Sequence, residues 1–139
     1  MAETSTPDPG DTTEHDPTET IDPLVEARAV REREAAAGIP GLAGYALIVA
    51  SGPRRGMHWG LPEGSTEAGR DFDSPIHLDD VTVSRHHAEF IVEDGILAVR
   101  DLGSTNGTYV NGRRADTAVL DAGDEVIIGR FHLVVARGA

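Results

Sequence analysis

From Tyr45 onward, short apolar runs alternate with residues that favour turns. The runs read YALIVA, MHWGL, AEFIV, ILAVRDL, TYV, AVL, EVIIG and FHLVVA. Such runs, separated by Gly, Asn and Asp, are typical of many short strands in an antiparallel sandwich or barrel. The pattern therefore predicts an all-β fold, with a single β-sandwich from about Tyr45 to Arg137.

Turn signals between these runs predict how some of the strands are joined. Asp94-Gly95 and Asn111-Gly112 each lie between two strand-like segments, so each predicts a tight hairpin turn. Residues 120–124 predict a third, looser hairpin. A second Asn-Gly pair, Asn106-Gly107, follows a polar run with no strand residues. We expect it on a loop between two strands, where binding groups tend to lie.

Residues 1–43 have a different composition. Residues 1–22 are rich in Thr, Pro, Asp and Glu and contain no Arg, so they hold too little apolar surface to form a core. In the next segment Asp22 and Pro23 can begin a helix and Gly38 can end it, although so short a helix is marginal without packing. We predict a flexible acidic tail and linker over residues 1–43, disordered or partly helical, and a folded domain over residues 44–139.

Composition narrows the classes of function. The formal net charge of −12 argues against non-specific binding to nucleic acid, which depends on clustered cations. The chain has no Cys, which excludes disulfides and thiolate metal sites. All 12 basic residues are Arg, so a Walker-type phosphate loop and a lysine Schiff base are excluded too. No apolar run could span a bilayer and the N-terminus does not resemble a secretory signal, so we expect a cytoplasmic protein.

Three polar clusters fall where strands are expected to end. They are Gly69-Arg70, the segment VSRHHAEF at residues 83–90, and the segment GSTNGT at residues 103–108. Together they offer a guanidinium, several hydroxyls, an amide and Gly-rich backbone N–H groups. That set suits a dianionic phosphate, because Arg can bind two oxygens while hydroxyls and amides bind the rest.

Two other interpretations of these clusters are weaker. Ser84 and His87 could act as nucleophile and base, but no G-x-S-x-G elbow is present and no acidic partner stands out, so we do not expect an enzyme. His86 and His87 could bind a metal ion. If they begin a strand, however, their side chains point to opposite faces and cannot converge on one ion. We therefore expect neither a metal site nor a cofactor.

The order of the three clusters resembles the motif pattern of the forkhead-associated (FHA) domain, an eleven-stranded β-sandwich that binds phosphothreonine peptides through loops at one end. The resemblance covers roughly residues 45–137. It implies that Arg70, Ser84 and Thr105 are phosphate ligands and that Arg85 is an auxiliary ligand. It also implies a bond from Asn106 to the peptide backbone. The same resemblance implies structural roles for three further residues, Gly69, His87 and Gly107.

The segments DDVTVSRHHAEF, DLGSTNGTYVNG and GDEVIIGRFHLVV are similar to a narrower family of small actinobacterial regulators, the glycogen accumulation regulators or oxoglutarate dehydrogenase inhibitors. In that family a Ser/Thr protein kinase phosphorylates a tail threonine, which docks on the protein's own FHA domain. The unphosphorylated form modulates enzymes of the 2-oxoglutarate dehydrogenase and glutamate dehydrogenase type. The resemblance implies the same partners here, and we expect a monomer.

The tail departs from that family. The paired-threonine acceptor motif, ETTS followed by an apolar residue, is absent, and the nearest segment is Thr18-Glu19-Thr20-Ile21. We take Thr20 as the first candidate phosphoacceptor and Thr18 as the second. The alternative is an adaptor that recruits a phosphorylated partner and has an inert tail.

Overall fold

The computed structural model describes residue 39 and residues 41–138, and this part of the chain is built from eleven strands. The strands are β1 (Tyr45–Ser51), β2 (His58–Leu61), β3 (Gly64–Gly69), β4 (Ile76–His77), β5 (Ala88–Glu93), β6 (Ile96–Asp101), β7 (Thr108–Val110), β8 (Arg113–Arg114), β9 (Thr117–Leu120), β10 (Glu125–Ile128) and β11 (Phe131–Arg137). No helix among the described residues is long and apolar enough to cross a membrane.

The strands form two sheets that pack face to face. The first sheet has the order β2-β1-β11-β10-β7-β8 and the second the order β4-β3-β5-β6-β9. Neighbouring strands of the described residues pair antiparallel, apart from the parallel pairing of β3 with β4. Alternate residues of the central strands point between the sheets, and fully buried Leu47, Phe90, Leu97, Phe131 and Leu133 belong to this core. The predicted all-β sandwich is confirmed.

Two of the three predicted hairpins are confirmed. At the β5–β6 turn Asp94 and Gly95 have φ values of 54° and 77°, and at the β7–β8 turn Asn111 and Gly112 have φ values of 51° and 84°. Positive φ at both central residues is the requirement of a tight turn that matches the twist of its strands.

The third predicted hairpin, over residues 120–124, is wrong. β9 pairs with β6 in the five-stranded sheet, whereas β10 pairs with β7 and β11 in the six-stranded sheet. The segment is therefore a connection between sheets. Leu120 and Val126 enter the shared core from opposite sides, and an Asp121 N–H bond to Asp124 Oδ2 (2.7 Å) closes the turn between them.

The strand β3 has no apolar run in its sequence, GSTEAG, and the hydrophobic pattern did not predict it. Its inward residues are the small Thr66 and Ala68, which are both buried, and its backbone pairs with β5 over five residue pairs. Backbone pairing with its neighbouring strands therefore holds β3 in the sheet more than its own side chains do. Because β3 ends at Gly69, the residue that follows, Arg70, emerges at the end of the sandwich where β5 begins.

Part of the linker packs on the outer face of the six-stranded sheet. Buried Ile39 and partly buried Leu42 contact Ala46, Val134 and Ala136, which point away from the main core. Tyr45 then begins β1 at the end of the sandwich that carries the β5–β6 turn, since its hydroxyl bonds to Gly95 O at 3.0 Å. Residues 1–38 and residue 40 of the predicted tail and linker, and with them the possible helix at residues 22–38, lie outside the described residues.

Candidate functional site

Three loops meet at the end of the sandwich where β3 ends and β5 begins. They are the β3–β4 loop (residues 70–75), the β4–β5 loop (residues 78–87) and the β6–β7 loop (residues 102–107). The Arg70 N–H donates to Ser84 O at 2.9 Å, and the Thr105 N–H donates to Ser84 Oγ at 2.9 Å. The structure thus brings together the three residues that the sequence predicts as phosphate ligands.

Arg70 presents part of its guanidinium to solvent. Its Nε–H donates to Val83 O at 3.0 Å, which fixes the side chain, and the two terminal amino groups make no hydrogen bond to the described residues. No acidic side chain pairs with it within the described part of the chain. An oriented guanidinium with no carboxylate partner is suited to a bidentate anion.

The Ser84 hydroxyl is oriented by the neighbouring loop. Because its oxygen accepts the Thr105 N–H, its own O–H is left to donate elsewhere. The Ser84 N–H is used in a bond to His87 Nδ1 at 3.1 Å, which closes the short segment between them. Ser84 can therefore donate its hydroxyl hydrogen to an incoming oxygen without a change in the backbone.

His87 lies fully buried between two of the loops. Its Nδ1 accepts the Ser84 N–H, so its Nε2 must carry the proton, and Nε2 donates to Gly107 O at 2.8 Å. Burial lowers the pKa of this imidazole, although the Gly107 carbonyl and the charge of Asp101 act in the opposite direction. A neutral imidazole in this position bonds the β4–β5 loop to the β6–β7 loop.

His86 lies in a different environment from His87. It is exposed, and its Nδ1 lies 2.5 Å from Glu67 Oε2, while its Nε2 lies 3.7 Å from Asp71 Oδ2. The two imidazoles therefore face different partners. Among the residues that the structure describes, no group of three or more His, Cys, Asp or Glu could hold a metal ion.

Asp101 organises the β6–β7 loop, and the sequence analysis did not name it as a site residue. Its Oδ2 accepts the N–H groups of Gly103 (3.0 Å) and Ser104 (2.9 Å), and its Oδ1 accepts the hydroxyls of Ser104 (2.6 Å) and Thr108 (2.7 Å). Burial raises the pKa of Asp101, but these hydrogen bonds outweigh burial and the net pKa is lowered. An Asp side chain that accepts the backbone N–H two residues further on is a known way to form such a turn, and Gly103 stands at that position here.

Asn106 and Arg85 lie at the edge of the site. Asn106 Nδ2 donates to Thr82 O at 2.9 Å, so its side chain bonds the β6–β7 loop to the β4–β5 loop and its oxygen is left to accept. Arg85 is exposed next to Ser84, and its carbonyl accepts the Asp71 N–H at 3.2 Å. Its charge contributes to lowering the pKa of Asp71, after the larger effect of the Asp73 N–H.

The two glycines that the resemblance assigned a structural role both lie in crowded positions. A Cβ on Gly69 would lie 2.1 Å from Arg85 O, which no side chain could tolerate without backbone movement. Gly107 has a φ of 88°, and a Cβ there would lie 2.8 Å from Arg114 Nε. Gly69 thus lets the backbone at Arg85 approach closely, whereas Gly107 is favoured by its positive φ, since the flexible Arg114 side chain beside it could move.

Comparison with known proteins finds relatives of this chain. The family model of the FHA domain matches residues 66–129. The glycogen accumulation regulator GarA of Mycolicibacterium smegmatis is 54% identical over 106 residues, which are 75% of this chain and 67% of the relative. The match thus spans about two thirds of that relative's length. The oxoglutarate dehydrogenase inhibitor of Corynebacterium efficiens is 47% identical over 119 residues, 84% of each chain.

Solved structures agree with the fold. An FHA domain from a study of phosphothreonine-dependent FHA interactions superposes with a TM-score of 0.65 and 32% identity, over 70% of this chain and 99% of that chain. The FhaA FHA domain, solved in complex with the intracellular domain of another protein, gives a TM-score of 0.62 and 34% identity, over 66% of this chain and 99% of that chain.

Proposed function

The chain belongs to the FHA-domain family, and from that premise we propose that it is a regulator that binds phosphothreonine peptides through Arg70, Ser84 and Thr105. The observation that carries the proposal is the convergence of these residues on one surface. Arg70 has terminal amino groups available, and Ser84 has a hydroxyl hydrogen free to donate. A phosphate carries about −1.5 to −2 charge and three acceptor oxygens, so it matches those donors.

The remaining site residues have supporting roles in this proposal. Arg85 is an auxiliary phosphate contact at the exposed rim, and the Asn106 side-chain oxygen accepts from the peptide backbone. His87 bonds two of the loops together, while Gly69 and Gly107 permit the backbone geometry of the loops. None of these groups forms a nucleophile and base pair, because both nitrogens of His87 are already bonded. We therefore propose that the protein acts by binding and not by catalysis.

Calorimetry with matched peptides tests the binding function. One sequence is made with phosphothreonine, phosphoserine and unmodified threonine at the same position. We expect phosphothreonine to bind most tightly, because its β-branched side chain is stiff at χ1 and loses less freedom on binding. The unmodified peptide should not bind measurably, because without the phosphate it offers no anion to the guanidinium of Arg70. Equal affinity for the phosphorylated and unmodified peptides would contradict the proposal.

We also propose that this binding site regulates metabolic enzymes under the control of a Ser/Thr protein kinase. One relative is named for inhibition of oxoglutarate dehydrogenase and another for regulation of glycogen accumulation. An enzyme of the 2-oxoglutarate dehydrogenase type is therefore the first partner to test, and an enzyme of the glutamate dehydrogenase type, which the family resemblance implies, is the second. We propose that the protein engages them as a monomer. These partners would place the protein in the cytoplasm.

In the proposed switch, phosphorylated Thr20, or else Thr18, occupies the protein's own site and excludes partners. Thr20 lies 19 residues before Ile39, which packs on the far side of the first sheet. A flexible chain of that length spans roughly 22–26 Å root-mean-square. The six-residue strand β5 is about 20 Å long, so such a chain would match the length of the sandwich. Tethering can raise the effective concentration toward the millimolar range.

Heteronuclear NMR distinguishes this switch from the adaptor alternative, which the altered tail motif favours. The protein is treated with a Ser/Thr kinase, and the amides of Arg70, Ser84, Thr105 and Asn106 are followed. The switch predicts that these signals shift in dilute protein, independently of concentration. If the tail is phosphorylated and the signals do not move, the chain is an adaptor that recruits a phosphorylated partner.

A further inference from the structure

The turn between β10 and β11 contacts the β4–β5 loop through an ion pair. Arg130 directs both Nη2 (2.8 Å) and Nε (3.3 Å) at Asp80 Oδ1. The Asp80 side chain is only 10% exposed, whereas that of Arg130 is 64% exposed. Hydrogen bonds from Arg130 and then from Thr82 hold the pKa of Asp80 well below its usual range. The carboxylate is therefore charged and fully engaged over the ordinary pH range.

Thr82 completes the network between these two groups. Its N–H donates to Asp80 Oδ2 at 3.0 Å, its hydroxyl also contacts that oxygen, and its Oγ1 accepts the Arg130 N–H at 3.1 Å. The two segments are in close contact, because a Cβ on Gly129 would lie 2.4 Å from Thr82 Oγ1. We call Asp80, Thr82 and Arg130 the clamp.

The clamp lies directly beside the bonds that orient the site. The Thr82 carbonyl accepts Asn106 Nδ2, and the next carbonyl, that of Val83, accepts Arg70 Nε–H. The residue after that is Ser84. A shift of the segment at residues 80–84 would therefore move three proposed ligand groups at once.

We infer that Asp80 and Arg130 are positioning residues for phosphopeptide binding: they hold the β4–β5 loop in the geometry that orients Arg70, Ser84 and Asn106. This inference rests on the function proposed above. Neither residue needs to touch the ligand. Their contribution is to order the loop before the ligand arrives, which lowers the entropic cost of binding.

A second ion pair of similar exposure provides a matched control. Arg100 bonds to Glu89 on the outer face of the five-stranded sheet, with side chains 56% and 17% exposed. Both partners lie on strands, and neither bonds to a residue of the β4–β5 loop. Arg100→Gln and Arg130→Gln each remove one positive charge and one surface ion pair. Only the second substitution breaks the clamp.

The experiment measures affinity and loop order in the full-length chain. The probe is the tightest-binding peptide from a degenerate phosphothreonine library selected on the wild-type protein. We expect Arg130→Gln to weaken binding roughly fivefold to thirtyfold, mostly through faster dissociation. Arg130→Lys, which keeps the charge, should recover part of this loss. Arg100→Gln should bind as the wild type does.

Two further measurements separate positioning from general stability. Hydrogen exchange of the Thr105 amide, without ligand, should be faster in Arg130→Gln and unchanged in Arg100→Gln, while the two variants unfold at similar temperatures. Asp80→Asn combined with Arg130→Gln should bind little worse than Asp80→Asn alone, because both changes break the same contact.

The inference is overturned if folded Arg130→Gln keeps wild-type affinity and wild-type exchange at Thr105 while Ser84→Ala loses affinity. In that case the proposed function stands and the clamp is irrelevant to it. If the wild-type protein selects no phosphothreonine peptide at all, the proposed function fails, and the positioning role fails with it.

Discussion

The two Asn-Gly pairs of this chain have the same sequence and different roles. At Asn111-Gly112 both residues have positive φ, and the pair makes the β7–β8 turn. At Asn106-Gly107 only the glycine has positive φ, and the chain does not reverse into a hairpin there. The dipeptide permits a tight turn, but the flanking residues decide whether one forms. Strand residues flank the first pair, and a polar loop precedes the second.

The side chains of the two asparagines differ in the same way. The Asn111 side chain bonds to the start of β10 in its own sheet. Its Nδ2 donates to Asp124 Oδ1 at 3.1 Å, and its Oδ1 accepts the Glu125 N–H at 3.0 Å. Asn106 bonds to Thr82, which lies on a different loop at the binding end. We therefore expect changes near Asn106 to affect binding and changes near Asn111 to affect stability.

We expect the largest effect from a change in the binding loops, at the end of the sandwich where Asn106 lies. Arg70→Ala removes the oriented guanidinium, and charge-assisted hydrogen bonds are each worth about 1.5–3 kcal/mol. We expect phosphopeptide affinity to fall by roughly tenfold to a hundredfold or more, at about 1.4 kcal/mol per decade. Arg70→Lys should not fully restore it, because Lys supplies a point charge without the fork. Calorimetry that gives Arg70→Ala the wild-type affinity would refute the site.

The second largest effect is expected in the β7–β8 turn, where a change at Asn111 should lower the stability of the fold. Asn111→Ala puts an alanine at a φ of 51° and removes two side-chain bonds. We expect a loss of about 1–3 kcal/mol in the free energy of unfolding, measured by urea denaturation. Asn111→Gly is the matched control, since it relieves the backbone strain and loses only the bonds. Phosphopeptide affinity should stay at the wild-type value in both variants, and a large loss of affinity would remove the distinction between the two pairs.

Asn106→Ala should instead lower phosphopeptide affinity and leave stability almost unchanged, and its effect should be smaller. It removes the bond to Thr82 O and the proposed contact with the peptide backbone, so we expect affinity to fall about fivefold to tenfold. Asn106 is exposed and its φ is not positive, so the free energy of unfolding should change by no more than about 0.5 kcal/mol. An Asn106→Ala protein that unfolds as easily as Asn111→Ala would contradict this assignment.

Local rules explain which parts of the fold could be predicted from the sequence. The turns at Asp94-Gly95 and Asn111-Gly112 depend on the φ preference of two adjacent residues, and both were predicted. The strand β3 depends on its pairing with β5, and its own sequence contains two glycines and no large apolar residue. The connection at residues 120–124 depends on which sheet each flanking strand joins. Neither strand β3 nor this connection can be predicted from a short stretch of sequence.

The same distinction applies to the candidate site. Arg70, Ser84 and Thr105 were named because they lie in recognisable motifs, and the structure brings them together. Asp80 and Arg130 are 50 residues apart in sequence, and nothing in either segment indicates the other. Pairing at such a distance follows from the packing of the sheets, so only the structure could reveal it.

The smallest expected effect is a pH dependence of stability that originates in His87. Its pKa in the folded protein is lowered, chiefly by burial, from a usual value of about 6.5. The unfolded chain therefore binds the proton first as the pH falls. The contribution of the neutral imidazole is complete above about pH 6.5 and decreases as the pH falls toward the lower pKa of the folded state. Carboxylates with lowered pKa values, such as Glu89, act only below about pH 4.5.

Urea denaturation of the unliganded protein between about pH 7 and pH 5 measures this effect without interference from the phosphate, whose own second pKa is about 6. We expect the free energy of unfolding to decrease across that interval. NMR titration of the imidazole provides the direct test. A His87 ring that takes up its proton at or above pH 6.5 in the folded protein would mean that it does not bond the two loops as a neutral group.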